Sequence, residues 1–85
     1  MTYFVYIIES LKDGTYYVGS TEDLPQRIGR HNQGRSKYTK AKRPWKLLYY
    51  EEYLDRADAV NREKQIKRRK SREYIETMVS ASRQT

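Results

Sequence analysis

Five residues of this 85-residue chain have types and spacings that could do chemistry together: Tyr6, Tyr17, Arg27, His31 and Glu63. The tyrosines flank a tight-turn signal, Asp13-Gly14. Arg27 and His31 stand one helical turn apart, and Glu63 is the only carboxylate in the basic stretch "REKQIKRRKSR". Such a set suits metal-assisted hydrolysis of a phosphodiester. A cation held by the carboxylate polarises a phosphoryl oxygen, the arginine stabilises developing negative charge, and a base takes a proton from water. Tyrosine, with a reference pKa of ~10, serves as that base only beside a cation or a relay partner. Each residue also has a structural reading: packed core tyrosines, an arginine paired with a carboxylate, a histidine favoured by a helix C-terminus, a glutamate in a salt bridge.

The elements that must position these residues follow from local pattern. Residues 3–9 are almost wholly apolar or aromatic, as in a central strand buried on both sides. Asp13-Gly14 predicts a hairpin returning through residues 15–20, with Lys12 facing Thr15 and Ser10 facing Tyr17. Side chains alternate with period two, so Tyr6 and Tyr17 share a face with Phe4, Ile8 and Gly19. Val5, Ile7, Tyr16 and Val18 take the other. Thr21 is the expected cap of a helix that carries Glu22 and Asp23 in its first turn and ends at Gly34. A basic loop leads to Pro44 and a third strand over 45–54. Asp55 caps a second helix of about fourteen residues, and Ser71 opens a third ending near Val79. The expectation is one α+β domain over residues 1–79, a three-stranded antiparallel sheet flanked by helices in the order ββαβαα. Residues 80–85 are expected to form a flexible tail.

Helical periodicity then sorts the candidates. Leu24, Arg27, Ile28 and His31 fall within a stripe roughly 100° wide, which places Arg27 and His31 on or beside the buried face; Arg30 and Asn32 lie elsewhere. In the second helix Ala59, Val60, Ile66 and Lys67 span an arc of about 120° with Glu63 at its centre. A glutamate there is either a salt-bridge partner or the ligand of a divalent cation at a cleft rim, with water and substrate phosphate completing the oxygen shell.

Composition excludes several alternatives. The chain has no cysteine, hence no disulfide or thiolate metal site, and a single histidine rules out a multi-histidine zinc centre. No apolar run reaches the length of a membrane span, so a soluble cytoplasmic protein without membrane association is expected. Eighteen Lys+Arg against eleven Asp+Glu give a formal charge of +7, which points to nucleic acid. Residues 35–46 hold six basic residues and no acid. From the two basic runs, Arg35, Lys37, Lys40, Lys42, Arg43, Lys67 and Arg68 are the candidate phosphate contacts. Tyr38, Trp45 and Tyr74 supply rings for base stacking.

These residues resemble the GIY-YIG nuclease superfamily, in particular its small, single-domain bacterial branch. Phe4-Val5-Tyr6 stands where the first triplet belongs and Tyr17-Val18-Gly19 is close to the second. "DLPQRIGRHNQG" is similar to the family's arginine-bearing helix and "NREKQIK" to its glutamate-bearing helix. The resemblance implies a one-metal nuclease. Tyr6 and Tyr17 would lie in the active site with one as general base. Arg27 would hold the scissile phosphate, His31 would assist, and Glu63 would bind Mg²⁺ or Mn²⁺. The first triplet has lost its glycine and isoleucine to Phe4 and Val5 but keeps its tyrosine. The larger relatives' separate DNA-binding domain has no counterpart here, which implies weak sequence selectivity, with DNA the favoured substrate. The other class of function is a nucleic-acid-binding module, for DNA or RNA, that keeps the fold and turns over little.

Overall fold

A computed structural model describes residues 1–82. The N-terminal apolar run is the central strand, β1 (Tyr3–Ser10), of an antiparallel sheet. It lies between β2 (Tyr16–Thr21) and β3 (Trp45–Tyr53), both edge strands. Three helices follow: α1 (Leu24–Asn32) between β2 and β3, then α2 (Arg56–Arg69) and α3 (Arg72–Ser82) after β3. A 3-10 turn at Lys40–Lys42 interrupts the basic loop. The ββαβαα order and α+β class are as expected.

β1 is central because both of its faces find cover. Val5 and Ile7, with Val18, pack against Ala59 and Ile66 of α2 and Ile75 and Val79 of α3. Tyr6 and Ile8 pack on the other face with Leu24 and Trp45. Each such buried aliphatic contributes on the order of 1.5–3 kcal/mol. One helix on one face and two on the other leave the β2 edge as the place where side chains from both layers meet.

The hairpin differs from its expected pairing. Tyr6 faces Gly19 and Ile8 faces Tyr17, a shift of two residues from the expected register. Ser10 explains it. Its backbone N–H bonds to Thr15 O at 2.8 Å, and its Oγ accepts from the N–H groups of Lys12 and Asp13. The resulting loop is wider than a two-residue turn, and Gly14 supplies its left-handed position at φ +78°. Because the shift is even, every side chain keeps its predicted face.

The cap of α1 is Asp23, not Thr21. Thr21 is still paired with Phe4 in the sheet, while Asp23 is extended and accepts from Gln26 N at 3.1 Å. Asp55 and Ser71 cap α2 and α3 as expected, accepting from Ala57 N and Tyr74 N. Helix α3 continues past Val79 through Ser82, so the first part of the expected tail is helical; residues 83–85 lie outside the described residues.

One feature escaped the sequence reading. On the α2/α3 face of β3, the Glu51 carboxylate accepts from Arg62 Nε at 2.9 Å and Nη2 at 3.1 Å. It also accepts from Tyr53 Oη at 2.6 Å and from Tyr49 Oη. Arg62 reaches on to Gln65 and Tyr74, tying β3, α2 and α3 together.

Candidate active site

The site is built around a missing side chain. Gly19 lies opposite Tyr6, and a Cβ there would sit 2.6 Å from Tyr6 Oη and 2.7 Å from Cζ. Glycine lets the fully buried ring of Tyr6 lie flat over β2 and carry its hydroxyl to the strand's rim. Gly19→Ala is therefore expected to destabilise the protein by about 1–3 kcal/mol, because the ring has no free space to retreat into. A thermal melt checks this, and the displaced phenol should lower any cleavage activity as well.

Tyr6 Oη is 2.9 Å from His31 Nε2, and His31 Nδ1 is 2.7 Å from Thr39 Oγ1. His31 stands in the last turn of α1, as the structural reading has it, yet it is only 2% exposed. Burial, then the charges of Arg27 and Arg30, lower its pKa, and the ring is neutral at pH 7. Burial and the neighbouring Tyr17 phenol push the Tyr6 pKa well above its usual value, outweighing the opposite pull of Arg27. With the phenol protonated, the geometry assigns Tyr6 O–H donating to Nε2 and Nδ1–H donating to Thr39 Oγ1. Thr39 also accepts from Trp45 Nε1 through its carbonyl at 2.9 Å. The sequence carried no signal for Thr39, which lies beyond the helix in a loop.

Tyr17 stands beside this chain, its ring 5.1 Å from His31 and 6.4 Å from Tyr6 between centroids. Unlike Tyr6 it is half-buried and lines a cavity of about 180 Å³ with Arg27, Arg30, His31 and Arg35. Helical periodicity places Arg30 elsewhere on the helix, yet it shares this cavity. Three residues past Arg27, it falls on the neighbouring ridge of the same face. Arg27 also borders a larger cleft of about 590 Å³ that runs past Ser20 and Asp23 to Arg56 and Val60.

Glu63 arrives from the opposite layer. Helix α2 packs on the other face of the sheet, but β2 is an edge strand, and the carboxylate meets its rim. Glu63 accepts from Ser20 Oγ at 2.6 Å and from Lys67 Nζ at 2.5 Å. Lys67 in turn stands 5.8 Å from the centroid of the Tyr17 ring, so it links the rim to that tyrosine. The salt-bridge reading of Glu63 thus finds its partner in Lys67. Among the described residues no group of three or more His, Cys, Asp or Glu could hold a metal ion. Glu63 nonetheless fits a hard divalent cation: it offers anionic oxygens beside Ser20, which borders the larger cleft, and a positive group already sits against them. Water and phosphate oxygens would complete the shell.

The candidate nucleic-acid contacts divide. Arg35 belongs to the arginine cavity, and Lys37 and Lys40 are exposed on the loop. Lys67 is at the rim. Lys42 is committed to the hairpin loop, bonded to Asp13 at 2.6 Å and Thr15 at 3.2 Å, and Arg43 lies against Gly34. Arg68 turns to the outer side of α2 with Tyr53, Asp58 and Lys64, apart from Glu63, because it lies one residue (100°) beyond Lys67 on the helix. Trp45 is buried under α1 and Tyr74 is half-buried beneath Arg69, which leaves Tyr38 as the exposed ring. Asn32 is a structural clamp, its side-chain amide bonding both N–H and C=O of Trp45.

Comparison with known proteins gives four matches of consistent kind. The family model for the GIY-YIG catalytic domain matches residues 2–76. A UPF0213 protein of Staphylococcus aureus is 42% identical over 67 residues, covering 78% of this chain and 80% of the relative. One from Streptococcus pneumoniae is 38% identical over 68 residues, covering 79% and 68%. The solution NMR structure of a UPF0213 protein from Bacillus halodurans superposes with a TM-score of 0.60 at 35% identity, over 95% of this chain and 85% of that one. No helix among the described residues is long and apolar enough to cross a membrane.

Proposed function

Since the chain belongs to the GIY-YIG catalytic-domain family, we propose that it is a divalent-metal-dependent nuclease that hydrolyses phosphodiester bonds, DNA in preference, with weak sequence selection. The observation that carries this reading is the convergence on one strand edge of Tyr6 hydrogen-bonded to His31, Tyr17 and Arg27 beside them, and Glu63 at the rim.

Arg27 holds the scissile phosphate and offsets the charge that develops on it. Tyr17, the phenol that lines the cavity beside Arg27 and under Lys67, is the general base that receives the proton of the attacking water. Tyr6 is sealed from solvent, so its part is to hold His31 in its neutral tautomer against Thr39 and to shape the wall behind the phosphate. Mg²⁺ or Mn²⁺ at Glu63, when bound, supplies Lewis-acid polarisation of a phosphoryl oxygen.

The test is cleavage of single-stranded, duplex, flapped and branched DNA and of RNA, with Mg²⁺, Mn²⁺ or EDTA. DNA should be cut with either metal and left whole in EDTA, and Tyr17→Phe should lose at least ~10²-fold in kcat. Binding in EDTA should weaken steeply with salt, since each neutralised phosphate releases counterion. Cleavage that survives EDTA would overturn the metal requirement. Salt-sensitive binding without cleavage of any substrate would leave the binding module.

A further inference from the structure

The cavity beside Tyr17 holds more positive charge than one phosphate can use. Arg27, Arg30 and Arg35 all line its roughly 180 Å³, and no carboxylate does. None of the three makes an ion pair among the described residues, although five other pairs form, including Lys42 with Asp13 and Lys67 with Glu63. His31, which shares the wall with the Tyr17 phenol, is buried and neutral, so it relieves none of the repulsion. The arginines come from two elements. Arg27 and Arg30 are on α1, and Arg35 follows the turn closed by Gly34, where Arg35 N bonds to Arg30 O at 3.0 Å and pins the loop back against the helix. That bond holds Arg35 beside Arg30, so the convergence is built by the backbone.

A phosphodiester carries one negative charge and is met by Arg27 alone. Two further guanidiniums, held together without any internal counter-charge, match a second anion of the same kind. Resting on the nuclease reading for the position of the first phosphate, we propose that Arg30 and Arg35 hold the phosphate next to the scissile one, so that the protein grips two successive phosphates of a polynucleotide. This makes Arg30 and Arg35 determinants of substrate class. A polynucleotide satisfies the cavity, and a substrate with a single phosphate leaves it half filled.

The experiment uses thymidylyl-thymidine, which has one phosphate, and its 5′-phosphorylated and 3′-phosphorylated forms, which have two. Each competes with a labelled oligonucleotide for the full chain in EDTA, where nothing is turned over. One of the two-phosphate ligands should compete about tenfold better than the parent. The Arg30→Gln/Arg35→Gln variant should treat all three within about twofold, and the salt dependence of its oligonucleotide binding should be shallower by about one to two phosphates. A melting curve verifies that the variant is folded; both side chains extend to the cavity surface and Gln keeps most of their length. Equal competition by all three ligands in the unmodified protein, or an increment that persists in the folded variant, overturns the proposal. Because the assay contains no metal, an inactive protein would defeat the nuclease reading while leaving this result standing, and cleavage without the increment would defeat this proposal alone.

Discussion

Glu63→Ala is expected to abolish metal-dependent cleavage and leave a folded protein that still binds nucleic acid. On the proposed mechanism the loss should reach at least ~10³-fold, because the cation that would polarise the phosphoryl oxygen is lost with the carboxylate that would hold it. The stability change should be small. Its ionic partner, Lys67, is 48% exposed and returns to solvent when the carboxylate is removed. An exposed i,i+4 pair contributes only ~0.3–0.5 kcal/mol. Ser20 Oγ loses an acceptor, which adds about 1 kcal/mol. A melting temperature lowered by less than about 10 °C is the expected result. Binding in EDTA should persist or tighten, since one negative charge leaves a basic rim. Cleavage at the unmodified rate by this variant would remove Glu63 from the mechanism. A collapsed fold would return it to a structural role.

Glu51→Ala should do the reverse. Glu51 and Arg62 are 18% and 21% exposed, and removing the carboxylate strands a half-buried guanidinium together with the hydroxyls of Tyr49 and Tyr53. Breaking such a pair costs about 3–5 kcal/mol, against a total of roughly 5–15 kcal/mol for a domain. A fall of 15 °C or more in the melting temperature is expected. The network lies on the α2/α3 face of the sheet, away from Tyr6, Tyr17 and His31, so cleavage per folded molecule should be unchanged in the cold. Replacing Glu51 and Arg62 together by leucine and methionine should cost less than Glu51→Ala alone, since no charge is then left unpaired.

The same network sets a pH window. Burial by itself would raise the Glu51 pKa, but the hydrogen bonds from Arg62, Tyr49 and Tyr53 outweigh it and leave it lowered. A lowered folded-state pKa means the contribution is complete above the unfolded carboxylate value of ~4.3 and lost as pH falls through the folded value. Tyr49 and Tyr53 are pushed up to about 12, chiefly by burial and then by the hydrogen bond to Glu51. Their contribution is complete below ~10 and lost as pH rises toward the folded value. Melts across pH should therefore show a plateau between, which Glu51→Ala flattens at its acid end.

Much of the fold was written in local pattern. Side-chain alternation put Tyr6 and Tyr17 on one face, and it held even though the hairpin register was shifted, because the loop around Ser10 moved the pairing by an even number. The helical stripe brought Leu24, Ile28 and His31 to the core side, and Asp55 and Ser71 marked helix starts correctly. These properties depend only on backbone periods of two and 3.6 residues and on cap chemistry, which neighbouring residues determine by themselves. The tertiary structure alone decided the rest. Glu63 meets Ser20 on the edge strand β2, beside a lysine that stands over Tyr17, only because α2 packs along that edge. His31 is a buried link because Thr39, from a loop without periodicity, lies at its second nitrogen. Arg30 joins Arg35 through a turn, and Glu51 finds Arg62 across two elements. Each of these contacts joins segments whose relative placement is set by packing the sheet between its helices, and no local repeat in the chain encodes that placement.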